Sequence, residues 1–340
     1  MPHPPSKTPE GGCLKRWHSA DMKVFMENRH TRLAFQLALL MLLLVPVAPA
    51  HVSDKQSLRV NVDLVNIYVT VRNNRGRLIS TLGRESFTVL EDNAAQTVTH
   101  FSRETDVPLT LALIIDTSGS VYHKLPFEKR ATSHFLREVM RRSSDKAALV
   151  SFDTFVALQQ DYSGDSTLLA KSLMPLVAGG GTCLYDALFS VIRDKLSGPD
   201  ERKVVVVITD GDDNLSRRSA HDVVELAQRN DVSIFAVSTN RIGLRPGTSD
   251  QSDAVSKMLA AQTGGSLFVP VSTDQLASDF NKLANELHSH YTIAYRSTNA
   301  RRDGSFRRIR IEIPKHTYSV RAPAGYYAPG ESGTSSFYPE

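Results

Sequence analysis

The sequence predicts an α/β protein: a doubly wound, mostly parallel sheet with helices on both faces, inserted in or flanked by a small antiparallel β domain. Two patterns and one bulk property carry this expectation. Across residues 108–289, unbroken apolar runs such as 111–115 and 204–208 alternate with stretches of helical period. Runs without polar interruption mark strands covered on both faces, and strand–helix alternation implies a parallel sheet. On either side, residues 58–105 and 290–328 alternate apolar and polar positions with a period of two, the signature of strands with one wet face. At 340 residues and 41% apolar content, the chain has enough material for a substantial core.

Residues 1–50 read as an export leader. Arg29 and Arg32 precede an apolar run at 33–47, and Ala48-Pro49-Ala50 offers small residues at the cleavage positions. A start at Met22 or Met26 gives the basic segment an ordinary length. An uncleaved anchor is the alternative, but the apolar run falls short of the roughly 20 residues of a spanning helix. The expectation is a secreted or periplasmic protein with no stable transmembrane segment after cleavage. The leader holds six Lys/Arg and three Asp/Glu, so the formal charge falls from +4 to +1 without it. That near-neutral balance gives no electrostatic case for nucleic acid. Cys13 leaves with the leader, and Cys183 alone forms no intramolecular disulfide. No cysteine follows the apolar run at the cleavage point, which argues against a lipid-modified terminus.

From residue 58 the pattern is strand, turn, strand. Val60, Val62, Leu64, Ile67, Val69 and Val71 alternate with polar residues apart from a slip near Val65-Asn66, and Asn73-Asn74-Arg75-Gly76 signals a turn. Phe87, Val89 and Val98 continue the alternation around a turn at Glu91-Asp92-Asn93. After Pro108 come apolar runs at 111–115, 147–152, 204–208 and 234–237, with helices within 122–142, from about 184, and near 220–229. Ser219-x-x-Asp222 and Ser272-x-x-Gln275 have capping-box spacing, and Leu276, Phe280, Leu283 and Leu287 form a core-facing stripe behind the second. From Tyr291 the period returns to two through Ile293, Tyr295, Ile309, Ile311, Ile313, Tyr318 and Val320, punctuated by Gly304 and Pro314. A single β domain made of 58–105 and 290–328, with 108–289 inserted, is the economical arrangement; two separate β units are the alternative. Residues 329–340 read as a flexible tail.

The stretch Asp116-Thr-Ser118-Gly-Ser120 places a carboxylate and two alternate hydroxyls where a buried strand leaves the core. Gly179-Gly-Gly-Thr182 brings a threonine on a flexible loop, and the run at 204–209 ends in Asp210-Gly211. In a parallel sheet such groups emerge at one edge, outside the carboxyl ends of the strands, where ligands of these sheets bind. Two carboxylates, three hydroxyls and water form an adequate hard-oxygen shell for Mg²⁺, and Mn²⁺ or Ca²⁺ accept the same donors.

These three loops, in this order, resemble the metal-ion-dependent adhesion site of the von Willebrand factor A-like (VWFA) domain, and the resemblance spans about residues 108–289. It implies that Ser118 and Ser120 coordinate directly, that Thr182 does so directly or through water, and that Asp116 and Asp210 act largely through water. With its flanks, the chain is similar to the acidobacterial-type VWFA-related family of exported bacterial proteins, through Leu64-Val-x-Ile-Tyr-Val-Thr-Val71, Phe87-Thr-Val-Leu-Glu-Asp92 and Gly325-Tyr-Tyr-Ala328. That family carries no established activity.

The expected function is an exported, metal-dependent binding module whose ion takes an Asp or Glu carboxylate from a protein partner. A metal-stabilised envelope scaffold and a Mg²⁺-dependent hydrolase are the competing readings. Against an enzyme, there is no P-loop, no Gly-x-Gly-x-x-Gly loop and no general base at the site. Asp212, Asp213 and Asp153 read as solvated loop carboxylates that could add to the field at the ion, and Asp186 as a helix N-terminal acid. Cys183 lacks a neighbouring His and reads as packing. His288 and His290 lack a third zinc ligand and read as helix-terminal residues. Arg301, Arg302, Arg307, Arg308 and Arg310 are the densest basic group; alternation puts Arg308, Arg310 and Glu312 on the exposed face opposite Ile309, Ile311 and Ile313, so a solvated strand face is expected, with an acidic partner as the alternative.

Overall fold

The computed structural model describes residues 64–103, 107–198, 202–242, 250–314 and 318–330, all within the compact unit Asn61–Glu340. The leader, the strand start at 58–63 and most of the tail expectation lie outside the described residues. No helix among them is long and apolar enough to cross a membrane.

The central sheet has six strands: β5 (Leu109–Asp116), β6 (Lys146–Phe152), β7 (Val156–Ser163), β8 (Arg202–Thr209), β9 (Val232–Ser238) and β10 (Leu267–Phe268). Their order is β10-β9-β8-β5-β6-β7, parallel except for β7, which runs antiparallel to β6 at one edge. Around them lie α1 (Leu125–Val139), α2 (Ser166–Leu173), α3 (Leu184–Lys195), α4 (Ala220–Arg229), α5 (Asp250–Thr263) and α6 (Thr273–His288). Every residue of β5, β8 and β9 is buried, as continuous apolar runs require. Alternate positions feed opposite layers. Leu111, Leu113, Ile115, Val204, Val206 and Ile208 pack against α1, α2 and α6; Ala112, Ile114, Val205 and Val207 pack against α3, α4 and α5.

Two helix starts follow from their caps. At α4, Ser219 Oγ accepts from the Asp222 N–H while the Asp222 carboxylate accepts from the Ser219 N–H, a complete capping box. At α6 only one arm forms: Ser272 accepts from the Gln275 N–H, but the Gln275 amide oxygen turns to the Val271 N–H. The apolar stripe of α6 is fully buried, as its spacing predicts.

Two antiparallel sheets lie beside this domain, each mixing the N-terminal and C-terminal period-two segments. In the first, β1 (Leu64–Asn73) and β4 (Val98–Ser102) pair with β11 (Tyr291–Arg296), and β1 pairs with β13 (Tyr318–Arg321). In the second, β2 (Thr88–Glu91) pairs with β3 (Ala94–Gln96) and with β12 (Phe306–Glu312), which pairs with β14 (Gly325–Tyr327). Ile67, Val69, Val71, Phe87, Val89, Tyr291, Ile293 and Tyr295 fill the space between them. Leu64, expected in this core, is 45% exposed at the strand's beginning. The hairpin turn places Asp92 and Asn93 at positive φ, which short polar residues tolerate.

Buried charge fixes these parts together. Glu91 is almost fully buried and accepts from the hydroxyls of Tyr295 (2.8 Å), Ser297 (2.6 Å) and Tyr326 (3.1 Å), with the Arg307 guanidinium 3.6 Å away. Arg307 is itself only 3% exposed, so it leaves the solvated basic face expected for the arginine group, whereas β12 turns Arg308, Arg310 and Glu312 outward as their alternation predicts. Glu286 of α6, with no exposed side chain, accepts from Arg72 of β1 (2.6 Å) and Arg321 of β13 (2.8 Å), stapling the first antiparallel sheet to the central domain.

Candidate metal centre

The strand order reverses between β8 and β5, because the chain leaves β5 for β6 on one side and later returns to β8 on the other. Such a switch point opens a crevice at the carboxyl ends of the strands. Ile115 is paired with Ile208, so Asp116 and Asp210 emerge there from neighbouring strands. The continuous apolar runs of β5 and β8 therefore dictate where the two carboxylates sit.

Asp116 is wholly buried. Its Oδ1 accepts from the Ser118 N–H (2.8 Å) and its Oδ2 from the Thr209 hydroxyl (2.7 Å). Burial pushes its carboxyl up to about 6; the bonds from Ser118 and Thr209 oppose this, and the charge of Asp210 adds to it. With each oxygen already holding one donor, Asp116 suits contact with an ion through water better than direct ligation. Thr117 points away and donates to the Phe152 carbonyl (3.0 Å). The alternation leaves Ser118 and Ser120 side by side, with their hydroxyl oxygens 3.0 Å apart. Ser118 is buried and Ser120 is exposed, so the pair runs from the interior to the surface.

The glycine loop is laced to this stretch. The Gly119 N–H donates to the Gly180 carbonyl (3.1 Å) and the Gly179 N–H to the Thr117 carbonyl (2.8 Å). Gly180 has φ of 77° and would bring a Cβ to 2.6 Å from Thr154 Oγ1, so both conformation and space exclude a side chain. Thr182, 3% exposed, donates its N–H to Asn214 Oδ1 (3.0 Å), while its carbonyl accepts from the N–H groups of Asn214 and Leu215. The loop after Asp210 thereby clamps Thr182.

Asp210 is 4% exposed. One oxygen lies 3.4 Å from the Lys124 ammonium, and the other, Oδ1, is buried with no hydrogen-bond partner. Gly211, at φ 87°, donates its N–H to Thr209 Oγ1 (2.9 Å), so Thr209 bridges the two carboxylate strands. Among the described residues no group of three or more His, Cys, Asp or Glu gathers in metal-binding fashion. The candidate donors are instead two carboxylates and three hydroxyls, a hard-oxygen set. The orphaned, buried Asp210 oxygen calls for a positive partner, the Lys124 ammonium already balances the other oxygen and would compete with an ion, and the residues present fit a hydrated divalent ion.

All five expected residues, Asp116, Ser118, Ser120, Thr182 and Asp210, lie at this edge. The other acids divide. Asp213 accepts from the Tyr185 N–H and Ser216, and Asp186 from the N–H groups of Arg217 and Arg218. Asp186 thus braces the loop after Asp210 in addition to standing in the first turn of α3. Asp153 accepts from the Phe155 N–H, and Asp212 is exposed. Cys183 is buried, and burial with neighbouring carboxylates pushes its thiol up to about 11, the opposite of an activated nucleophile. His288 closes α6 with its Nε2 2.8 Å from the Val139 carbonyl, and His290 packs its ring on Tyr68.

Three residues near the centre escaped the sequence reading. Thr209 was legible only as part of its loop, and Lys124 carried no signal beyond its charge. Glu128 did leave a trace. It falls on the buried stripe of α1 with Leu125, Thr132, Phe135, Leu136 and Val139, where an acid is out of place. Neither of its oxygens, nor the hydroxyl of Thr239, makes a geometrically sound hydrogen bond. Thr239 nonetheless faces it closely enough to offset part of the burial effect, which pushes the carboxyl up to about 8.

The sequence model of the von Willebrand factor type A domain matches residues 110–284, just over half of the chain. The chain belongs to the von Willebrand factor type A domain family. Among curated proteins, calcium-activated chloride channel regulator 1 of Mus musculus is 28% identical over 165 residues, a match covering 46% of this chain and 16% of that protein. The chain therefore spans about a sixth of that relative's length. Similar solved structures include the vWF domain of the type V pili tip protein Mfa5 from Porphyromonas gingivalis, at 13% identity and a TM-score of 0.46, covering 53% of this chain and 94% of that one. Proximal thread matrix protein 1 from the mussel byssus, with a zinc occupied MIDAS motif, is 17% identical with a TM-score of 0.46, covering 58% and 49%. The PilB minor pilin from Streptococcus sanguinis is 13% identical with a TM-score of 0.44, covering 54% and 61%. In the von Willebrand factor type A domain described here, the matched segment begins in β5 and ends in α6, so it includes every candidate ligand.

Proposed function

We propose that this chain is an exported, secreted or periplasmic, binding module whose von Willebrand factor type A domain holds a divalent cation, Mg²⁺ with Mn²⁺ or Ca²⁺ as alternatives, and captures a protein partner through an Asp or Glu carboxylate. The observation that carries the reading is the orphaned Oδ1 of Asp210 at the same sheet edge as the Ser118–Ser120 hydroxyl pair, where β5 and β8 end at the switch point. In this reading the hydroxyls of Ser118, Ser120 and Thr182 face the ion, while Asp116 and Asp210 orient its water. When bound, the cation supplies an exchangeable position that a partner carboxylate completes. Thr209 keeps Asp116 aligned, and Lys124 balances Asp210 when no ion is present. Ser120 at the surface gives the partner access, while the burial of the other four excludes bulk water.

We also propose that 58–105 and 290–328 form one β domain into which 108–289 is inserted. The pairing of β1 and β4 with β11, and of β2 with β12, supports that division.

A pull-down in Mg²⁺ against chelator, with Asp116→Ala alongside, tests the binding role. Capture that needs both the ion and Asp116 is expected. Capture indifferent to both would leave only the scaffold reading, and chelator-sensitive phosphatase activity would favour the hydrolase.

A further inference from the structure

Four large apolar side chains stand exposed on the four loops that meet at the candidate metal centre. Tyr122 is 61% exposed, Phe155 76%, Val177 76% and Leu215 47%. Each is tied to the glycine loop. Tyr122 lies two residues past Ser120, in the segment whose Gly119 N–H donates to the Gly180 carbonyl. Phe155 follows Thr154, whose hydroxyl oxygen accepts from the Gly181 N–H (3.0 Å). Val177 precedes Gly179, whose N–H donates to the Thr117 carbonyl (2.8 Å). Leu215 donates its N–H to the Thr182 carbonyl (3.0 Å), and a Cβ at Gly181 would collide with its Cδ1.

No core packing accounts for these four. They stand on loops that also carry Gly, Ser, Thr and Asp, the residues that loops at a strand end ordinarily use, and leaving apolar surface in water gains nothing for the fold. Grouped apolar surface rimmed by polar groups marks an interaction site. Charge restricts what fits. Asp153, Asp186, Asp212 and Asp213 lie on the Thr182 side of the mouth, and a second acid on the partner would face them. A single carboxylate therefore meets the ion and no second acid flanks it, while the exposed apolar loop tips beside the mouth favour apolar flanks.

We propose that Tyr122, Phe155, Val177 and Leu215 form an apolar collar that selects a protein segment in which one Asp or Glu is flanked closely by large apolar side chains. The inference rests on the carboxylate-binding reading above and adds the identity of the flanks. The collar supplies contact area that the ion alone lacks, and the ion supplies the anchor.

The test is a selection of displayed linear peptides with a fixed central Asp and randomised flanks. The full chain is immobilised in millimolar Mg²⁺ and bound peptides are eluted with chelator. The expected peptides are rich in Leu, Ile, Phe or Tyr beside the Asp and lose binding when that Asp becomes Asn. They bind about tenfold more weakly to Phe155→Ser or Val177→Ser, variants at exposed loop positions that keep wild-type Mg²⁺ affinity. Asp-dependent, chelator-sensitive peptides without apolar enrichment, or unaffected by those substitutions, would overturn the collar and leave the carboxylate reading standing. Peptides that survive chelator or Asp→Asn would overturn the carboxylate reading itself. Recovery of no peptide would overturn the collar, with Mg²⁺ titration of the same preparation deciding the reading beneath it.

Discussion

Glu128 lies inside α1 with no exposed surface and with Asp116, Asp210 and Lys124 as its charged neighbours. Burial lifts its carboxyl from 4.5 to about 8, so the folded protein holds a proton that the unfolded chain releases above pH 4.5. The stability from this proton is fully present below pH 4.5 and is lost as pH rises toward 8. At about 1.4 kcal/mol per pH unit, the loss between pH 5 and pH 7 is about 3 kcal/mol. Glu128→Gln keeps the size and the neutral form at every pH, so it escapes this loss. Urea denaturation in chelator, at a series of pH values, reads the difference. The variant should match wild type near pH 5 and exceed it by about 3 kcal/mol at pH 7. A difference that stays flat from pH 5 to 8, or a variant less stable at pH 7, would refute the placement of this acid in a dry interior.

Other substitutions probe the remaining links. Lys124→Met removes a cationic group 3.4 Å from Asp210 and should raise Mg²⁺ affinity about tenfold; unchanged affinity in a calorimetric titration would detach Lys124 from the site. Glu91→Ala strands the buried Arg307 and three hydroxyl donors and should cost about 3–5 kcal/mol by denaturant melt; a cost under about 1 kcal/mol would mean that the network is wet. Native hydrogen exchange should show β1, β4 and β11 opening together as one cooperative unit, whereas independent opening of the N-terminal and C-terminal strands would split the β module in two.

The parallel sheet was legible because β5, β6, β8 and β9 bury both faces and so carry uninterrupted apolar runs. The same runs located Asp116 and Asp210, since a carboxylate that ends such a strand has only the sheet edge to occupy. Other elements left no comparable pattern. β7 is a half-exposed edge strand whose outward positions include Val156 and Leu158, so neither alternation nor an unbroken run marks it. On α5 the buried positions include Ser252, Asp253, Ser256 and Thr263 beside Leu259 and Ala260, and polar burial erases the apolar stripe. Grouping Arg307 with the solvated arginines overlooks the alternation that turns Arg308 and Arg310 outward and puts it on the inward face with Ile309; its partner Glu91 is a distant contact that local period does not reveal. Within the site, residue types and loop order were readable, whereas the Thr209 bridge, the Lys124 ion pair and the Asn214 clamp are contacts between distant segments that no local spacing encodes.

The central claim is that Asp116, Ser118, Ser120, Thr182 and Asp210 together hold a divalent cation. Isothermal titration of Mg²⁺ or Mn²⁺ into the metal-free chain, into Asp116→Ala and into a Ser118→Ala/Ser120→Ala double variant tests it most directly, with thermal melts confirming that each variant is folded. Saturable binding to a single site in wild type, weakened by about tenfold or more in both variants, is the predicted result. Equal binding by all three proteins would contradict it.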